Sequence, residues 1–310
     1  MPKDYIEDLK REITTIPKDK NYYFVRTEGG ELYDDFVKKS RIGIQYTYIT
    51  ESDFSNLDDS KIRTKIKNFE KFKTDKIKGQ ITTIVNKLKI FRNLKEGDVV
   101  IIPSKNSDRL YFGEIKSKKV LYEEVSEGEY EKFKEVKWIK EKNFRKLDAN
   151  FIKIKNSHHV ISDVEYLSPY IEREIKSLYI DKEYNSHLVF DFKKQEDIPL
   201  TDLVEFLQEY RSLAQLVVDK YNLKEDVDSV SIKLNLQSEG QVSVTQGKRK
   251  NIVIVTAFVI AAIASSAPSS LSIFNEKDPT SDQELIDAVK SLMGEGDDLD
   301  MDRNKIQDFF

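Results

Sequence analysis

Phe91-Arg92-Asn93-Leu94-Lys95-Glu96-Gly97-Asp98-Val99-Val100-Ile101-Ile102-Pro103 joins a helix end, a turn and a strand in one short stretch. Upstream of it, Ile81, Ile84, Val85, Leu88 and Phe91 recur at spacings of three and four, which places them on one face of a helix. Lys95 to Asp98 is a turn, and Val99 to Ile102 is a continuous apolar run bounded by turn residues, as in a strand buried on both faces. Leu110 to Ile115 supplies a partner strand after a second turn at Ser104 to Asp108. Tyr22 to Arg26 forms a strand closed by Gly29-Gly30, and the alternation of Ile42, Ile44, Tyr46 and Tyr48 predicts another. Residues 58–90 read as helices, Val136 to Ile139 as a strand and Phe144 to Leu147 as a short helix. Strands near one another in sequence predict an α+β fold built on a small, mainly antiparallel barrel with helical insertions.

The charge is divided along the chain. The net charge is −4, yet residues 1–160 carry 35 Lys/Arg against 27 Asp/Glu, and residues 161–310 carry 16 against 28. A basic half joined to an acidic half is the pattern expected when one part meets a polyanion. Between Lys61 and Arg92 there are 11 Lys/Arg, with Glu70 and Asp75 the acids among them. These cations fall opposite the apolar stripe, so they face solvent and suit phosphate contacts. Tyr22, Tyr23, Tyr46, Tyr48 and Tyr111 offer rings on which unpaired bases stack. The chain has no cysteine and three histidines, which excludes disulfides, thiolate metal sites and Cys nucleophiles. No metal site and no cofactor is expected, since neither a Walker A sequence nor a dinucleotide fingerprint is present. Asp298, Asp300, Asp302 and Asn304 alternate like a calcium loop, but Arg303 stands where that loop needs Gly. His158 and His159 are adjacent and cannot chelate together, and His187 reads as isolated.

The second half differs in texture. Pro169 to Tyr179 reads as a helix, Leu188 to Phe192 as a strand, and Leu203 to Val217 as a long helix with Thr201 as its N-cap. Ser231 to Gln237 and Val242 to Val244 alternate across a turn, which predicts a β-hairpin. From Asn251 to Asn275 there is no charge at all. Its apolar part, carrying Ile252, Val255, Val259, Ile260 and Ile263, follows Lys248-Arg249-Lys250 and precedes an acidic tail. The run suits either a membrane helix that assembles with its own copies or a buried oligomer core. The organisation expected is an N-terminal helical extension over 1–20 with its helix from Asp4 to Ile13, a binding domain over 21–160 and a helix-plus-hairpin domain over 165–247. A hydrophobic segment over 248–275 and a tail over 276–310, with a short helix from Leu285 to Met293, complete it. No secretory signal is visible, which predicts the bacterial cytoplasm or the inner face of its membrane.

Residues 22–115 resemble the PUA-like, EVE-related domain at the N-terminus of Mrr-type restriction endonucleases. The residues that carry the likeness are Phe24-Val25-Arg26, Gly29-Gly30, Phe36, Ile42-Gly43, Gly79 and Phe91-Arg92, followed by Gly97 to Ser104 and Tyr111 to Ile115. Ile44-Gln45 departs from the family, which has an aromatic residue or a second Gly there. The resemblance implies recognition of a nucleic acid or nucleotide, including a modified or flipped base, in a pocket beside the barrel. Taken with the charge pattern, the expected binding set is Arg26, Tyr46, Lys65, Lys67, Lys78, Lys87, Arg92 and Tyr111.

Three functions compete on these residues. The leading expectation is a nucleic-acid or oligonucleotide sensor joined to an oligomerising, membrane-engaging effector, an architecture similar to effectors of bacterial antiphage defence, with a partner protein of such a system. The second is a nucleic-acid-binding adaptor whose apolar run is an ordinary core helix. The third is a Mg²⁺-dependent nuclease using Asp98, Glu114 and Lys116; Glu-x-Lys recurs at Glu135 and Glu174, and the chain is not expected to be an enzyme.

Overall fold

The computed structural model describes residues 11, 13–44, 46–56, 59–69, 77–127, 129–155, 157, 159–193, 198–235, 241–248, 251–264 and 279–302. The chain is a mixed α+β protein. It divides into two compact units, one of Asp19–Tyr170 and one of Met1–Lys18 with Ile171–Phe310.

In the first unit the strands are β1 (Tyr22–Val25), β2 (Arg41–Ile44), β3 (Val99–Pro103), β4 (Arg109–Ile115), β5 (Leu121–Ser126), β6 (Glu129–Asn143) and β7 (Ile161–Asp163). They form one curled sheet in the order β2-β6-β4-β3-β1-β7, with β5 also paired to β6. The β1–β3 pair is parallel and the others are antiparallel. All five residues of β3 are buried, as its uninterrupted apolar run predicts. Four helices cover one side: α1 (Tyr33–Lys38), α2 (Glu51–Asn56), α3 (Asp59–Phe69) and α4 (Ile77–Asn93). Phe36, Phe54, Ile62, Ile66, Val85 and Phe91 from these helices join Ile42, Val100 and Ile102 in one core. Burying side chains of this size contributes roughly 1.5–3 kcal/mol each. Gly113 sits where the β4–β6 register shifts, and a Cβ there would lie 2.4 Å from Val136 and 2.6 Å from the Trp138 ring. Only glycine lets that ring lie against the strand.

Two expectations change here. The strand that begins at Arg41 ends at Ile44, and Tyr46 turns with φ 82°. The strand expected at Val136 to Ile139 is the middle of β6, which forms a hairpin with β5 that the sequence reading lacks. Period two fails as a guide because Lys132 and Lys134 are buried on β6 where apolar residues would be expected.

In the second unit β8 (Leu178–Ile180), β9 (Ser186–Asp191), β10 (Ser231–Asn235) and β11 (Gln241–Gln246) form an antiparallel sheet in the order β10-β11-β9-β8. The expected hairpin is β10–β11, paired from Ser231↔Thr245 to Asn235↔Gln241. The helix expected over 169–179 ends at Ile175, and Leu178 to Ile180 is strand. The long helix runs Leu200–Lys220 with Pro199 at its N-cap, so Thr201 lies inside the first turn. The tail helix is longer than expected, Pro279–Asp298. The expected helix from Asp4 to Ile13 lies almost wholly outside the described residues.

The apolar run forms the helix Ile252–Ala264. Ile252 to Ala257, Val259 and Ile260 are buried in a core with Leu188, Phe190, Phe206, Leu213, Val244 and Leu292. Ile263 lies in the helix, with its side chain outside the description. At 1.5 Å per residue this helix is about 20 Å long, short of a hydrocarbon core of about 30 Å. No helix among the described residues is long and apolar enough to cross a membrane.

Candidate nucleic-acid interface

Helices α3 and α4 build the most cationic feature among the described residues. Their apolar stripes, Ile62 and Ile66 on one and Ile81, Val85 and Leu88 on the other, pin both helices to the sheet. The opposite sides stay in water. Between them runs a groove lined by Arg63, Thr64, Lys67, Lys78 and Thr82 over an apolar floor of Ile77 and Ile81. Arg63 and Lys67 are one helical turn apart and share a face. Arg63 donates from Nη1 to the Thr82 hydroxyl at 3.0 Å, which ties the two helices together across the groove. Lys67 and Lys78 are exposed. Three cations thus converge from two helices, a donor set suited to phosphate oxygens, while the Thr64 and Thr82 hydroxyls donate to the Ser60 and Lys78 carbonyls, each at 2.9 Å.

A second feature borders α3. Tyr46, Tyr48 and Phe69 form an aromatic ladder: Tyr46 meets Tyr48 edge-on at 6.3 Å, and Tyr48 lies parallel to Phe69 at 4.9 Å with 3° between the planes. Phe69 is 63% exposed. The ladder is held from below. The buried Lys132 ammonium donates to the Tyr46 carbonyl at 2.8 Å, fixing the turn in which Tyr46 has its positive φ. Burial lowers the Lys132 pKa to about 8. Lys65 does not reach into the groove: it pairs with Asp53, which also accepts from the Thr50 amide at 2.9 Å and hydroxyl at 2.6 Å. Burial works to raise the Asp53 pKa, but the hydrogen bonds from Lys65 and Thr50 outweigh it and hold the carboxyl below its usual range.

The expected residues therefore separate. Lys67 and Lys78 share the groove, Tyr46 belongs to the aromatic ladder, and Lys65 is held by Asp53. Lys87 is half-buried on α4, and burial lowers its pKa. Arg92 is exposed at the end of α4 beside Tyr122, whose phenol is pushed up to about 12 by burial and Glu51 against the pull of Arg92. Tyr111 is half-buried between Tyr33 at 6.5 Å and Trp138 at 5.1 Å, part of a different cluster with Arg109 and Glu141. Arg26 follows β1; its amide donates to the Val160 carbonyl at 2.8 Å, and its Nε is buried with no hydrogen-bond partner among the described residues. Tyr22 is fully buried and offers no stacking face. Arg63, Phe69 and Lys132 were not among the expected set. The i, i+4 spacing of Arg63 and Lys67 was legible in sequence, whereas the inward turn of Lys132 was not.

The nuclease residues have other work. Asp98 is fully buried, and its carboxylate accepts from the Asn21 amide at 3.0 Å, the Asn21 side chain at 3.1 Å and the Lys95 amide at 2.9 Å. Glu114 pairs with Lys116 at 2.6 Å. No group of three or more metal-ligating side chains occurs among the described residues. In the second unit His187 is not isolated: its Nε2 lies 2.8 Å from Asp181, its Nδ1 3.0 Å from the Thr245 hydroxyl, and its ring stacks on Tyr179 at 4.6 Å.

A family model described as a domain of unknown function (DUF8426) matches residues 22–161, nearly the whole of the first unit. No curated protein and no solved structure matches the chain.

Proposed function

We propose that the chain is a nucleic-acid-binding protein whose first unit holds a phosphodiester chain in the groove between α3 and α4. The observation that carries this reading is the convergence of Arg63, Lys67 and Lys78 on one groove. Backbone phosphates are the repeating anions that such a row of separated cations matches, and binding releases counterions. The PUA-like likeness, carried by Phe91 to Pro103, supports the same reading and makes the curled sheet a PUA-like half-barrel. The burial of Ile252 to Ala257, Val259 and Ile260 favours the adaptor form of this function over the membrane-engaging effector. Those side chains are already spent on a core.

Fluorescence anisotropy of the full chain with a labelled oligonucleotide tests the reading. Lys67→Glu and Lys78→Glu are each expected to weaken binding about tenfold or more at low salt, since each replaces an attraction by a repulsion. Unchanged affinity in both variants would remove the groove from the function.

A further inference from the structure

We infer that the ligand of this groove is single-stranded, and that Phe69 stacks on one of its unpaired bases. The inference rests on the nucleic-acid reading above and names the substrate class. Phe69 carries its exposed ring parallel to Tyr48, so one face is seated and the other is turned to solvent. In a duplex both faces of each interior base are covered by their neighbours. An unpaired base has a face to offer, and aromatic platforms of this kind bind it with little regard to sequence. The ring is also preorganised: Tyr48 is braced edge-on by Tyr46, whose carbonyl is held by Lys132. Little side-chain freedom remains to be lost on binding.

The layout of α3 points the same way. Arg63 and Lys67 share the face that lines the groove, while Phe69 follows Lys65 at i, i+4 and lies around the helix from them. A ligand that touches both must turn over a helix roughly 10–12 Å wide. A flexible single strand makes that turn. Duplex DNA, with a persistence length of about 150 base pairs, does not bend so tightly without a large cost.

The test uses the full chain and three labelled probes of equal length: a mixed-sequence single strand, the same strand with abasic sites in place of bases, and the blunt duplex. The expected result is that the single strand binds at least about fivefold tighter than the abasic strand and the duplex. Phe69→Ala should abolish the advantage over the abasic strand without changing the salt slope, and Phe69→Tyr should restore it. The single Trp138 reports that each variant is folded. A Phe69→Ala protein that binds the single strand as tightly as wild type, or a duplex bound equally well, overturns the inference. If binding stays sensitive to Lys67→Glu and Lys78→Glu while Phe69→Ala is silent, this inference fails and the nucleic-acid reading stands. If the charge reversals are silent with every probe, the nucleic-acid reading itself fails.

Discussion

The two units differ in the apolar surface they bury, although both bury charge, the second at Glu172, Arg173, Glu174 and Asp191. The first takes charges inside: Lys132, Lys134, Arg41 and Asp98 are all buried, each beside polar partners or backbone carbonyls. The second buries the apolar start of the chain's uncharged run, Ile252 to Val255, Ala257, Val259 and Ile260, in one core with Phe190, Phe206 and Leu292. Interior charge in the first unit fixes turns, as Lys132 does for Tyr46, at the foot of the aromatic ladder, and Asp98 for the Lys95 turn after α4. Interior apolar surface in the second unit supplies stability, since apolar burial is the dominant favourable contribution to folding. Charged residues of this chain therefore lie inside as well as outside, and the uncharged residues Ile252 to Val255 are core.

The sharpest way to break this comparison is Val259→Asp. An unpaired carboxylate in that core should destabilise the second unit by at least about 3 kcal/mol. Chemical denaturation followed by circular dichroism would show an early transition, while Trp138, in the first unit, would report its own. An unaltered transition would mean that the apolar helix is not core. Asp98→Ala should come next, at about 3 kcal/mol on the Trp138 transition, because three N–H donors lose an ionised acceptor. A well-folded Asp98→Ala protein would return this carboxylate to the list of functional candidates.

A smaller effect follows from Lys132. Its folded pKa, about 8, lies below the ordinary lysine value, so above pH 8 the unfolded chain holds more protons than the folded one. Stability then rises with pH, by about 1–2 kcal/mol between pH 8 and 9.5 from this group. Lys134, lowered by burial as well, adds in the same direction. The tyrosine phenols that burial pushes up, such as Tyr23 at about 12, begin to oppose this from about pH 9, as the unfolded phenols ionise first, and oppose it most above pH 10. Lys132→Met should flatten part of the rise in the Trp138 transition; an unchanged rise would assign the proton to another group. The smallest effect on stability belongs to the groove: Lys67→Ala and Lys78→Ala should stay within about 0.5 kcal/mol of wild type, as exposed positions do.

Much of this was legible in the residues. The stretch from Phe91 to Pro103 reads correctly as helix, turn and buried strand because each piece has its own period and its own punctuation. The β10–β11 hairpin reads for the same reason, with Ile232 and Leu234 set against Lys233. The β5–β6 hairpin did not, because Glu131, Lys132, Lys134 and Glu135 mask the alternation that marks a strand. At the site, helical spacing placed Lys67 and Lys78 on an outer surface but could not say that they meet. Whether cations on two helices share a groove depends on how the helices pack, and neither local pattern nor charge count carries that. Tyr46 failed as a strand residue because a buried lysine from elsewhere in the chain decides its turn.

The central claim is that cations from α3 and α4 act together on one phosphate chain. The most direct measurement is the salt dependence of single-strand binding by the full chain and by the Arg63→Ala/Lys67→Ala/Lys78→Ala protein. The account predicts that the slope of log affinity against log salt becomes shallower by about 2, from three lost phosphate contacts at about 0.7 each. Equal slopes in the two proteins would contradict it.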